Sequence, residues 1–117
     1  MKISAEKLQE IIESHGKWLN NKPDGKQANL CYAELQGAYL QNVDLRYANL
    51  ECANLQGANL RGANLQYTNL WRAYLVGANL AGADLRRAYL CDAVLRYANL
   101  DNVKLESATL FGTILQK

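Results

Sequence analysis

The chain has 117 residues, half of them apolar, with 13 basic against 11 acidic side chains. That is the length of one ordinary domain with material for a core, and the near-balance of charge excludes the strong pull toward nucleic acid or anionic lipid that a basic protein exerts. No stretch approaches the ~20 consecutive apolar residues of a membrane span, and the opening MKISAEKLQEIIE has neither the apolar segment of a secretory signal nor the acid-free start of a transit peptide. A soluble, cytoplasmic protein is expected. Cys31, Cys52 and Cys91 form no even disulfide framework, and free thiols fit a reducing compartment.

Residues 1–27 differ in pattern from the rest of the chain. From Ser4 to about Ser14 the apolar residues Leu8, Ile11 and Ile12 follow helical spacing, with Ser4 as N-cap and Gly16 as the stop. Trp18 and Leu19 come next, then the polar turn Asn20-Asn21-Lys22-Pro23-Asp24-Gly25. His15 is the sole histidine and is expected at the helix C-terminus, where it would interact with the helix dipole.

From Ala28 the chain repeats every five residues. Leu recurs from Leu30 to Leu115, eighteen times in eighteen opportunities. Two residues before each Leu stands Ala, except at Val43, Thr68, Val103 and Thr113, and the residue between them is most often Asn. A period of five fits neither regular element. On a helix successive Leu would step by ~140° and wrap every face, and on a continuous strand alternate Leu would point to opposite sides. The pattern works if three residues are extended, with the small residue and Leu both inward, and the remaining two turn the chain. Short sides then close into coils that stack about 4.8 Å apart with Leu inside. At the second turn position a lag of 20 residues gives four identities (Gly37/Gly57, Gly57/Gly77, Gly62/Gly82, Tyr47/Tyr67), a lag of 15 three and a lag of 10 none. The margin for a four-sided coil is small.

The run ANLQGANLRGANLQYTNL at 53–70 resembles the pentapeptide-repeat proteins, whose pattern is A(D/N)LXX. The likeness spans residues 28–117 and implies an all-β solenoid: a right-handed, quadrilateral (four-sided) β-helix of 18 repeats in about 4.5 coils, with no cofactor. Segment 1–27 is then the helical cap and connecting turn that a solenoid end needs over its exposed core and backbone.

A Leu- and Ala-filled rod offers no cleft for catalysis. No catalytic, cofactor or metal site is expected: Cys31 and Cys91 lie three coils apart, about 14 Å, too far for one zinc. The outer columns remain. Stacking places Arg46, Tyr47, Tyr67, Arg86 and Arg87 along one corner, as a structural ladder or as a binding patch. The expected role is a protein-interaction module or small scaffold with an unidentified protein partner. The family resemblance also implies an alternative, a DNA-mimicking binder or protector of DNA gyrase. The repeat region, with eight basic and seven acidic residues, lacks the strong negative charge that role requires, and the same balance disfavours nucleic acid. Around Thr113-Ile114-Leu115-Gln116, apolar Phe111, Ile114 and Leu115 mark a candidate C-terminal homodimer contact, the competing expectation being a monomer whose Phe111 folds over its own last coil, with Gln116 and Lys117 shielding the edge.

Overall fold

The computed structural model describes residues 1–115. One helix, α1 (Ala5–Leu19), precedes a solenoid of four-sided coils. The middle residue of each side pairs in parallel with the residue 20 positions on, as in Asn29 with Asn49, Asn49 with Asn69 and Asn69 with Tyr89. The same offset holds for the columns headed by Glu34, Tyr39 and Asp44, so each coil has four sides of five residues. The small margin for a lag of 20 in the sequence is thus resolved by the backbone itself.

Hydrogen-bond accounting explains the repeat. Each repeat has five backbone N–H groups to satisfy. The Leu N–H and the second corner N–H donate to the coil below, as from Leu30 to Asn49 O at 2.7 Å and from Tyr32 to Glu51 O at 2.9 Å. The middle N–H donates to the coil above, as from Asn49 to Ala28 O at 3.0 Å. The small residue closes the corner, as from Ala33 N–H to Leu30 O at 3.0 Å. The first corner N–H has no backbone partner. The Asn or Asp two residues earlier supplies one: all ten such side chains, from Asn29 to Asn99, accept that N–H through Oδ1. The preference for Asn is therefore a corner cap repeated down the rod.

The corner is a turn whose second residue takes positive φ, as in a type II turn. All seventeen such residues from Tyr32 to Gly112 lie at φ 57–75°, and eleven of them are not glycine. Tyr32, Cys52, Arg72 and Arg87 hold this costly conformation because their N–H groups donate to carbonyls of the coil below.

The interior is closed. Every Leu from Leu30 to Leu95 is at most 3% exposed, and the inward Ala residues fill the space between. Each Leu is worth roughly 1.5–3 kcal/mol of burial. Thr68 and Thr113 fit at inward small positions because their hydroxyls donate to Leu45 O (3.0 Å) and Leu90 O (2.6 Å). In the last described coil Leu110 and Leu115 are open, 38% and 48% exposed.

The N-terminal segment covers the opposite end. Ser4 caps α1, its Oγ accepting the Lys7 N–H at 3.0 Å. Gly16 does not stop the helix, contrary to the sequence expectation. α1 runs on to Leu19 because Asn20 closes it, donating from its backbone and side-chain nitrogens to Gly16 O, and because Trp18 packs on the rod. Leu8 is buried and Ile3, Ile11 and Ile12 pack against the first coil. Residues before the helix also join the rod: Lys2 pairs in parallel with Glu34, and the Glu34 N–H donates to Met1 O at 2.8 Å.

Candidate interaction surface

The corner that collects Arg46, Tyr47, Tyr67, Arg86 and Arg87 is built by the 20-residue stacking of second corner positions. Tyr47 and Tyr67 lie face to face, centroids 4.7 Å apart and 6° from parallel. The Arg87 guanidinium continues the column 5.8 Å from the Tyr67 ring. The column also extends upward, into the cap: Trp18 meets Tyr47 edge-on at 6.5 Å and stacks on His15 at 5.4 Å. Five side chains from α1 and three coils thus form one continuous stack.

Arg46 and Arg86 are placed differently from Arg87. Each makes a two-pronged contact with the Asp two residues before it, Arg46 to Asp44 at 2.9 and 2.7 Å and Arg86 to Asp84 at the same distances. The guanidinium groups hold both carboxyls below the usual carboxylate range, and the carboxylates hold both arginines up. The signal for this pairing was present in the sequence as Asp-Leu-Arg at 44–46 and 84–86. Arg87 has no ion-pair partner among the described residues.

His15 lies near the helix C-terminus, as expected, but its ring is engaged by the backbone of the rod and not by the helix dipole. It is fully buried. The Ala28 N–H donates to its Nδ1 at 2.9 Å, and its Nε2 lies 2.8 Å from Arg46 O. An Nδ1 that accepts carries no proton, so the ring is neutral with its proton on Nε2.

A second group of exposed side chains surrounds the corner at Trp71 and Arg72, and sequence reading passed over it. Arg72 lies over the Trp71 ring at 5.3 Å. On the two adjoining sides the capping Asn gives way to Tyr74, Tyr89, Val94, Thr109 and Ile114. Those repeats forgo the corner-capping bond, a loss of about 1 kcal/mol each, and place aromatic and aliphatic groups outside. The signal was the spatial clustering of departures from Asn, visible only once the columns are known. Of the residues singled out for self-association, Phe111 is 82% exposed, and Ile114 and Leu115 are partly exposed beside it. Gln116 and Lys117, expected to shield that edge, lie outside the described residues.

Among the described residues no group of His, Cys, Asp and Glu is arranged to hold a metal ion, and no helix is long and apolar enough to cross a membrane. Cys31 and Cys52 are half-buried and Cys91 is buried, all as free thiols. The Tyr32 phenol is pushed up by its Cys52 neighbour, and burial pushes up the Cys31 thiol.

The four-sided coil, the Leu interior and the Asn caps define a class of protein, the repeat solenoids built from five-residue sides. The pentapeptide-repeat family model matches residues 26–62, 53–90 and 73–112, in eight copies, and the chain belongs to that family. Its fold is the right-handed quadrilateral β-helix. A pentapeptide repeat protein from the cyanobacterium Cyanothece 51142, Rfr23, is 37% identical with a TM-score of 0.74, over 76% of this chain and 61% of that one. A pentapeptide repeat protein of the Arabidopsis thaliana thylakoid lumen is 30% identical with a TM-score of 0.54, over 78% of this chain and 60% of that one. The chain therefore spans about three-fifths of the length of either relative. No curated protein matches the sequence.

Proposed function

We propose that the chain is a non-catalytic protein-interaction module or small scaffold, which recognises its partner through the side chains of its corners. The observation that carries this reading is the closed interior: Leu30 to Leu95 are at most 3% exposed, so recognition rests with the outer columns. The stacked Tyr47, Tyr67 and Arg87 suit that role because stacking fixes their rotamers before a partner arrives, which lowers the entropic cost of binding. Arg46 and Arg86, held by Asp44 and Asp84, frame the column without adding net charge. A cytoplasmic location belongs to the same reading and is supported by three free thiols.

The test is crosslinking capture from the native host with wild-type protein and with Tyr67→Ala/Arg87→Ala. Partners retained by the first and lost by the second are expected. Identical captures would refute this corner as the recognition surface. The gyrase alternative calls for a strongly anionic rod, and this one balances seven acids against eight bases. Micromolar protein should leave DNA supercoiling unchanged, and potent inhibition would reinstate that alternative.

A second reading concerns self-association. The exposed Phe111, with Leu110, Ile114 and Leu115 beside it, favours a homodimer through the last described coil over a monomer. Sedimentation equilibrium at tens of micromolar should show dimer for the wild type and monomer for Phe111→Asp. A wild type that is monomeric throughout eliminates the contact.

A further inference from the structure

We propose that His15 is a proton-operated latch: the neutral imidazole docks α1 onto the first coil, and its protonation releases the N-terminal cap while the rod below stays folded. The position of the ring in the hydrogen-bond pattern carries this inference. Elsewhere in the rod the inward small residue donates its N–H to the Leu three residues before it, as Ala33 does to Leu30. The first corner carbonyl accepts from the coil above, as Gln66 O does from the Tyr47 N–H. At the start of the rod neither backbone bond forms, because no repeat precedes Ala28 and no coil lies above Arg46. The imidazole replaces both, Nδ1 accepting the Ala28 N–H at 2.9 Å and Nε2 donating to Arg46 O at 2.8 Å. One side chain satisfies a backbone donor and a backbone acceptor that would otherwise end the ladder unpaired.

Only the neutral ring can do this. A proton on Nδ1 would face the Ala28 N–H donor to donor, at a site with no solvent exposure. The charged groups of the first coil facing the ring are Asp44 and Arg46, and they are bound to each other by two hydrogen bonds. Their effects on the imidazole therefore oppose, Asp44 favouring the cation and Arg46 disfavouring it. Trp18 from α1 stacks on the imidazole, and Tyr47, next to Arg46 in the same corner, meets Trp18 edge-on. At the end of the helix Lys17 is paired with Asp24 of the connecting turn. Burial is the largest influence and lowers the pKa of the docked ring.

The direction comes from linkage. A group whose pKa is lower when docked binds more protons when released. Docking is therefore full above the ordinary histidine range and weakens about tenfold per pH unit below ~6.5, until the docked pKa is reached. The rod has no matching dependence in that window, since its perturbed carboxyls, Asp44 and Asp84, lie below the usual carboxylate range. Release uncovers the upper edge of the first coil, including the Ala28 N–H and Arg46 O. Such an edge is a template for strand addition.

His15 is the sole histidine, so its ring signals can be followed without ambiguity by NMR from about pH 8 to about pH 4.5. Cap docking is read in parallel from amide exchange in α1 and from Trp18 emission in a Trp71→Phe background. The expected result is α1 exchange and Trp18 emission changing together with the His15 titration, at a midpoint below ~6.5, with amides from Leu50 to Leu90 still protected. His15→Gln offers one acceptor and one donor without titrating and should hold the cap docked across the range. Three results would overturn the proposal: a ring that titrates while α1 stays protected, a Gln variant that releases its cap at the same pH as wild type, or rod and cap opening as one. If the Gln variant does not fold, coincidence of the ring titration with α1 release in the wild-type sequence decides alone.

Discussion

Gly57 and Gly62 occupy equivalent corners, five residues apart, at φ 67° and 69°. By repeat logic alone, replacing either with Ala should cost the same. Their surroundings differ. A Cβ at Gly57 would have no atom within 4 Å, whereas at Gly62 it would run into the side-chain amide of Asn42, one coil above. Left-handed Ala costs about 1–2 kcal/mol, offset by about 0.5 kcal/mol from the less flexible unfolded chain. Gly57→Ala should therefore destabilise by about 1 kcal/mol. Gly62→Ala should add about 1–1.5 kcal/mol, because Asn42 must leave its rotamer and its packing. For a chain of this length 1 kcal/mol is about 4 °C in Tm, so the shifts should be near 4 °C and 9 °C. Asn42→Ala combined with Gly62→Ala should bring the second value back toward the first, with a coupling of about 1 kcal/mol. Urea unfolding monitored by circular dichroism measures all four corners of this cycle. Equal costs at Gly57 and Gly62, or strict additivity in the double variant, would refute the stacking of corner side chains from coil to coil.

The same geometry sets three further outcomes. A Cβ at Gly25 would overlap the helix backbone at Lys17 and Trp18, so Gly25→Ala should loosen the cap, seen as faster amide exchange in α1 and a loss of at least about 2 kcal/mol. Thr68→Val removes the buried bond to Leu45 O and should cost about 1–2 kcal/mol in urea unfolding, whereas Thr109→Val, on the outer column, should stay within about 0.5 kcal/mol. Asp44 and Asp84 are held below the usual carboxylate range by Arg46 and Arg86, so their stabilisation is full above the ordinary Asp value and is lost as pH falls through the lower, folded one. The Tm of Asp44→Asn/Asp84→Asn should accordingly fall less steeply than wild type on acidification below about pH 4.

The rod was legible in the sequence because its signal is redundant. Eighteen Leu at one spacing admit a single inward assignment, and an error at Val43 or Thr113 would not have moved it. The column of Tyr47, Tyr67 and Arg87 was readable from the 20-residue lag in the same way. The cap carries no such redundancy. Gly16 reads as a helix stop by local propensity, and only the packing of Trp18 and the closure by Asn20 show why the helix continues. His15 and Ala28 are thirteen residues apart, with no periodicity linking them, so the imidazole's place in the ladder had no local sign. The corners were half legible: Gly and Asn suggest positive φ, but Tyr32, Cys52 and Arg72 adopt it too, because the hydrogen bonds that their N–H groups donate to the coil below outweigh residue preference. Lys2 and Glu34 pair across the whole cap segment, and no spacing or residue pattern links those two positions.

Within a coil the bonds are local: the Asn or Asp cap closes inside one repeat, the corner closure, as from Ala33 N–H to Leu30 O, reaches only the next, and the remaining backbone bonds run to the coils on either side. Length and azimuth are consequently separable properties of this chain. Removing twenty residues, such as 51–70, would shorten the rod by one storey and leave every lower column beneath its original neighbours' positions. Removing five, such as 51–55, would preserve the interior, since Leu still meets Leu, but would swing everything beyond the cut by a quarter turn relative to α1. Trp71 and Arg72 would then leave the corner headed by Cys31 and Tyr32 and stand beneath Arg46 and Tyr47. The rod behaves as an indexed barrel, in which small insertions and deletions rewrite which surfaces share a face without rewriting the core that supports them.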